Sequence, residues 1–388
     1  MVNRQTAEEL GGTGVTRTRV TREYDAAGEL TTVTRDVWGG SSYALAGTST
    51  YAYDPAGRVG GITHRNASGT ALATYAYAYD TAGRLTAKTD GGVTTSYAYD
   101  AADQLTTAGA ATYSYDPTGD RTNPGYATGA GNRTTTDGVW TYTYDADGRV
   151  AKRSQGAAAE TWVYAYDHRG QLTTATRSAT DGGSATGVAT YAYDAWGNLI
   201  SRQAWDGSTT TTERYGLDGW DPAKPGAVGN ESFDAWADLD GSGTLTARRG
   251  FGPGFDAPTV KVDGSGTASF YLADHLGSVR AVTNSSGTVT GTAAYDAFGN
   301  LAAGARADRY GYTGTAWDAL VGLQRNGNGA RWYDPAAGRW LQPDPLGFDA
   351  GDINLYRYVG NQPTGAADPS GLDTLKIVGN DVLWESRD

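Results

Sequence analysis

Residues 77–89 read Tyr77-Ala78-Tyr79-Asp80-Thr81-Ala82-Gly83-Arg84-Leu85-Thr86-Ala87-Lys88-Thr89, and this pattern decides the fold. Tyrosines two apart point to one face of a strand, and the alanine between them to the other. Asp-x-x-Gly then supplies a turn, in which aspartate bonds the backbone ahead and glycine takes a positive φ. The residues after it resume a strand. The unit is a β-hairpin, which cannot bury enough surface to stand alone. It recurs around Asp25, Asp54, Asp100, Asp116, Asp145, Asp167 and Asp194, with a weaker copy at Tyr295-Asp296, and Asp103 replaces the glycine in one unit. The mean spacing of about 24 residues falls within the range of stacked repeats. The prediction is all-β: stacked hairpins, for which this period also permits a β-solenoid, carrying a tyrosine ladder that is most simply a packing device, with a glycan-binding aromatic surface as the alternative.

Composition agrees. Tyrosine (26), tryptophan (11) and glycine (56) are abundant in the 388 residues, and no long helical period is visible. Net charge is −12 with no basic run, which argues against a nucleic-acid groove. No apolar run reaches the ~18 residues of a membrane span. The first residues lack the apolar core of a secretory signal, and repeat sequence begins almost at once, so a boundary inside a longer protein and a natural start both fit. Cysteine is absent, and His64, His168 and His275 lie far apart, predicting surface or turn histidines and no metal site or cofactor.

The chain divides into hairpin repeats at 1–214, an irregular insert or seam at 215–262, last repeats at 263–302, a terminal segment at 303–372 and a tail at 373–388. Asp238-Leu239-Asp240-Gly241-Ser242-Gly243-Thr244 has the look of a calcium loop, but Arg249 stands where an EF-hand needs its bidentate acid, so a hairpin turn is predicted. Asp274-His275-Leu276-Gly277-Ser278-Val279-Arg280 likewise predicts a turn, without the nucleophile elbow of a hydrolase.

The terminal segment is the most specific part. Arg331-Trp332-Tyr333-Asp334-Pro335, Gly338-Arg339-Trp340, Pro343-Asp344-Pro345-Leu346-Gly347 and Asp368-Pro369-Ser370-Gly371-Leu372, with the tyrosine repeats upstream, resemble the repeat-associated core that closes bacterial Rhs/YD-repeat proteins. That resemblance implies a spiral sheet forming a hollow shell, larger in relatives with more repeats. It implies a cargo or toxin following the core, further shell segments or a delivery apparatus as partners, and a secreted, surface or injected protein. It also implies self-cleavage: Asp344 and Asp368 as an aspartic-protease-like pair, Leu372–Asp373 as the cleaved bond, and Arg331 or Arg339 orienting a carboxylate. Two acids sharing a proton have their pKa values pushed apart, so one activates water while the other protonates the amide.

Read without the resemblance, both Asp-Pro pairs are ordinary turn initiators. Residues 324–329, Gln-Arg-Asn-Gly-Asn-Gly, depart from the family pattern and put the local strand pairing in doubt. The 16-residue tail is too short to fold alone. Its Leu375, Ile377, Val378, Val382, Leu383 and Trp384 are expected against an interior wall. The competing readings are a non-catalytic adhesion module binding glycans or proteins through its tyrosine strands, and a passive filler of a giant repeat protein.

Overall fold

The computed structural model describes residues 5–12, 15–218, 233–253, 257–327, 330–372, 375–378 and 381–384. Strands dominate, and no α-helix occurs among the described residues. Strands β1 (Gln5–Gly12) to β10 (Ala111–Thr112) form one sheet in strict chain order, and β11 (Tyr126–Thr128) to β26 (Leu301–Gly304) a second sheet of 16 strands, also in chain order. Every strand pair is antiparallel to its sequence neighbour, so both sheets are meanders of hairpins. The two sheets meet where β1 and β2 (Val15–Tyr24) approach β21 (Leu245–Phe251) and β22 (Pro258–Asp263).

The repeat explains why the meander persists. Tyr75 and Tyr77 of β6 (Ala71–Tyr79) are buried while Ala76 and Ala78 face solvent. In the following turn, Asp80 Oδ1 accepts the amides of Ala82 (3.0 Å) and Arg84 (2.9 Å), and its Oδ2 accepts Arg84 Nε (2.8 Å). Gly83 closes the turn at φ 86°, a conformation a Cβ would disfavour. Asp103, in the glycine position of the next unit, takes φ 63°, a region aspartate tolerates better than most residues.

Successive units also interlock. Tyr79 Oη donates to the Val59 carbonyl (2.9 Å), Tyr99 to Leu85 (2.7 Å) and Tyr166 to Val150 (2.9 Å), each acceptor opening the second strand of the preceding unit. The arginine beside that acceptor lies over the same ring: Arg58 over Tyr79, Arg84 over Tyr99 and Arg149 over Tyr166. Each such cation–π contact contributes about 0.5–1 kcal/mol at a part-exposed site. These hydroxyls are thus spent inside the wall.

Residues 303–372 pack chiefly on the second sheet and also reach the first, where Thr364 meets Tyr99. Strands β27 (Ala316–Asp318), β28 (Leu323–Asn326), β29 (Arg331–Asp334) and β30 (Arg339–Trp340) form a small sheet. Leu323, Trp332 and Leu341 share one core with Trp162, Leu172 and Leu199. Three buried ion pairs fasten this segment to the wall: Arg202–Asp318, Arg153–Asp334 and Arg339–Asp120, each at 2.6 Å.

Three expectations change. Within 215–262, predicted irregular, the described residues continue the sheet as β19 (Thr210–Leu217), β20 (Ala235–Asp240), β21 and β22; the Gly/Pro-rich run 219–226 lies outside the described residues. Pairing survives the departure at 324–329, because Gln324 opposes Tyr333 and Asn326 opposes Arg331. His64, expected at a surface or turn, is fully buried in β5 (Val59–Asn66), where its ring nitrogens meet Ser49 Oγ (2.6 Å) and the Ala273 carbonyl (3.0 Å). Burial drives its pKa down to about 3, so the ring is neutral.

Candidate active site

Arg331 opens β29 with its side chain buried, and Trp340 of the adjacent strand lies 4.1 Å beneath the guanidinium. Arg331 Nη2 is 3.0 Å from Asp344 Oδ2 and 3.0 Å from Asp368 Oδ2, so one nitrogen bridges the two carboxylates. Arg331 Nε also donates to the Gly371 carbonyl. The two acids, 24 positions apart in sequence, therefore meet at one cation beside the Gly371-Leu372 pair.

Each acid is held by local backbone. Asp344 Oδ1 accepts the Leu346 amide (2.9 Å), the Asx turn that Asp-Pro favours, and the Asp344 amide donates to the Leu355 carbonyl (2.9 Å). Asp368 follows β31 (Ala366–Ala367), and its Oδ1 accepts the amides of Gly371 (2.7 Å) and Leu372 (3.1 Å). Gly371 sits at φ 74°, which curls the chain back over Asp368. The departing stretch contributes here: Asn326 Nδ2 donates to the Asp368 carbonyl and the Gly327 amide to the Pro369 carbonyl, both at 2.6 Å. The sequence offered no signal for these two contacts.

Electrostatics separate Asp368 from an ordinary turn cap. Burial pushes the Asp368 pKa up to about 6; Arg331 opposes this and the charge of Asp344 adds to it. A cavity of about 40 Å³ opens between Arg331, Asp344, Asp368 and Leu372. A space of that size with polar walls has room for water.

Arg339, the other candidate for orienting a carboxylate, is elsewhere. It donates to Asp120 Oδ1 (2.6 Å) and the Asn132 carbonyl, fastening the segment to the wall. Asp373, and the side chains of the tail, lie outside the described residues; β32 (Leu375–Val378) pairs with β31, so paired strands flank the expected bond. The calcium-like loop is a hairpin turn: Asp240 Oδ1 accepts the Ser242 and Thr244 amides, while Asp238 pairs with Arg249 and Arg309. Asp274 caps a later turn in the same manner and pairs with Arg280.

The sequence profile of the Teneurin YD-shell family matches residues 2–123 and 260–364, more than half of the chain and both ends of the described spiral. The chain belongs to the YD-shell family. Relatives of this YD-shell chain include the toxin protein Tse5 of Pseudomonas aeruginosa, 30% identical over 238 residues, which are 56% of this chain and 18% of Tse5. The toxin subunit YenC2 of Yersinia entomophaga is 47% identical over 60 residues, 16% of this chain and 6% of that protein. The tRNA3(Ser)-specific nuclease WapA of Bacillus spizizenii is 29% identical over 218 residues, 54% of this chain and 8% of WapA. The crystal structure of TcdB2-TccC3-Cdc42 superposes with a TM-score of 0.60 at 18% identity, covering 95% of this chain and 22% of that one, which establishes the shared fold. The chain thus spans under a quarter of the length of each of these proteins.

Proposed function

We propose that this chain is the closing part of a YD shell in a secreted or injected protein, that it contains and delivers a cargo joined to its C-terminus, and that it severs itself between Leu372 and Asp373. The observation that carries the proposal is the bridging of Asp344 and Asp368 by Arg331 beside the Gly371-Leu372 backbone. The names of the relatives support the cargo half: Tse5 and YenC2 are toxins or toxin subunits, and one structure of the same fold is titled TcdB2-TccC3 without hypervariable C-terminal region.

The chemistry is single-turnover hydrolysis. Asp368, whose pKa is raised, holds the proton that the pair shares. The less buried Asp344 takes a proton from water, the water oxygen bonds the Leu372 carbonyl carbon, and Asp368 protonates the departing amide nitrogen. Arg331 keeps both carboxylates on one site and holds the Gly371 carbonyl. Because the bond belongs to the same chain, it is presented at high effective molarity.

Intact mass of freshly purified protein tests this. The expected result is loss of the 16 residues after Leu372, with full-length protein retained in Asp344→Asn and Asp368→Asn variants that keep the β-sheet circular dichroism of the parent. A parent chain that stays full-length overturns the cleavage mechanism.

A further inference from the structure

Away from the aspartate pair, the inner face of the first sheet carries a diagonal of buried polar side chains: Arg22 on β2, Arg35 on β3 (Leu30–Trp38), Ser49 on β4 (Tyr43–Tyr53) and His64 on β5. Arg35 Nη1 donates to Ser49 Oγ (2.7 Å) and Nη2 to the Tyr271 carbonyl (3.3 Å). Its Nε is buried with no partner, and among the described residues no carboxylate lies within ion-pair distance of it. Asp36, its neighbour in sequence, points to the other face and pairs with Arg19. A buried guanidinium without a counter-charge is costly, and proteins seldom leave one so.

Arg35 borders a cavity of about 190 Å³, open on one side and walled by Arg22, Val20, Val33, Tyr51 and Tyr271. Arg22 already has Glu8 at 3.2 Å. Among the described residues, two guanidinia and one carboxylate leave one positive charge facing the cavity, His64 being neutral. Burial is the main cause that brings the pKa of Arg35 down to about 10, with Tyr51 opposing it and Arg22 adding to it.

We infer that this cavity is a binding site for a small monocarboxylate with an aromatic or aliphatic body, its carboxylate on Arg35 and its body between Tyr51, Tyr271 and the valines. Three features choose the ligand. A planar carboxylate fits the fork of a guanidinium. The residual charge calls for a monoanion, not a phosphate dianion. An apolar cavity of about 150 Å³ holds benzene, so this somewhat larger one admits a ring bearing a carboxylate.

Isothermal titration of the full chain with benzoate tests the site, with benzyl alcohol and inorganic phosphate as comparators. The expected result is saturable binding of benzoate at millimolar concentration, at least about tenfold tighter than either comparator. Arg35→Met, which keeps the length of the side chain without its charge, weakens benzoate by about tenfold or more. Val33→Phe, which fills the cavity and leaves both arginines, abolishes binding. Equal affinity for benzyl alcohol, tighter binding of phosphate, or no saturable heat with the parent protein overturns the assignment, and none of these three depends on a variant folding.

Discussion

Replacing Asp318 by asparagine isolates the fastening of the terminal segment to the wall. Asp318 is fully buried and accepts Arg202 at both oxygens (2.6 and 2.8 Å), Tyr191 Oη (2.7 Å) and the amides of Leu320 (3.1 Å) and Val321 (3.2 Å). Asparagine keeps the shape and one oxygen but deprives Arg202 of its main counter-charge. Breaking a buried ion pair from one side costs about 3–5 kcal/mol. Arg202 retains Glu213 at 3.3 Å, a half-exposed acid worth little, so the lower end, about 3 kcal/mol, is expected. A chain of stacked repeats need not unfold in one step, so the readout must be local. Hydrogen–deuterium exchange should show the amides of β27–β29 exchanging about 10²-fold faster, with β2–β5 unchanged. Unchanged protection in β27–β29, or a loss spread evenly over both sheets, would refute the reasoning.

Acid should mimic that variant. Despite burial, Arg202 and Tyr191 hold the Asp318 carboxyl below its ordinary 3.8, so its contribution is full above that value and fades as pH falls below about 4; exchange measured across that range checks it. Self-cleavage should follow the opposite arm: chain recovered denatured before it has cut, then refolded by dilution, should cut more slowly as pH rises through about 6, where Asp368 yields its proton, and a rate flat across pH 5–8 would contradict the assigned acid. Gly327→Ala puts a Cβ at φ 57° within 1.7 Å of the Ser370 carbonyl oxygen, so it should displace the Asp368 turn, slow cleavage about 10²-fold by intact mass and leave the spiral folded. Tyr79→Phe removes one inter-unit hydrogen bond and should destabilise its hairpin by about 1 kcal/mol, read as faster exchange in β5 and β6 only.

The repeat was legible because all its determinants are local: Tyr-x-Tyr sets the face, Asp80 and Gly83 set the turn, and chain order sets the pairing. The encounter of Asp344 with Asp368 was legible only through resemblance, since nothing in a spacing of 24 says that two Asp-Pro turns converge on one arginine. Arg339 misled because its partner Asp120 is 219 residues away on the wall, a distance bridged by the curvature of the sheet. His64 misled for the same reason: its partner Ala273 belongs to a strand 209 positions later, and a lone histidine in a polar strand gives no sign of the wall it will face. The strands of 235–262 lack the Tyr-x-Tyr-Asp signature, yet their alternating burial, clearest in Pro258–Asp263, is the ordinary pattern of a half-buried strand.

The hand-over of tyrosine hydroxyls to a carbonyl of the unit before means that a hairpin is recognised by its predecessor through backbone and, at Tyr79, Tyr99 and Tyr166, one arginine, with little regard for the remaining side chains. Gene segments coding whole units can therefore be duplicated or lost without redesigning the junctions, and the girth of the wall becomes a quantity that evolution adjusts in steps of one hairpin, while the intervening positions drift.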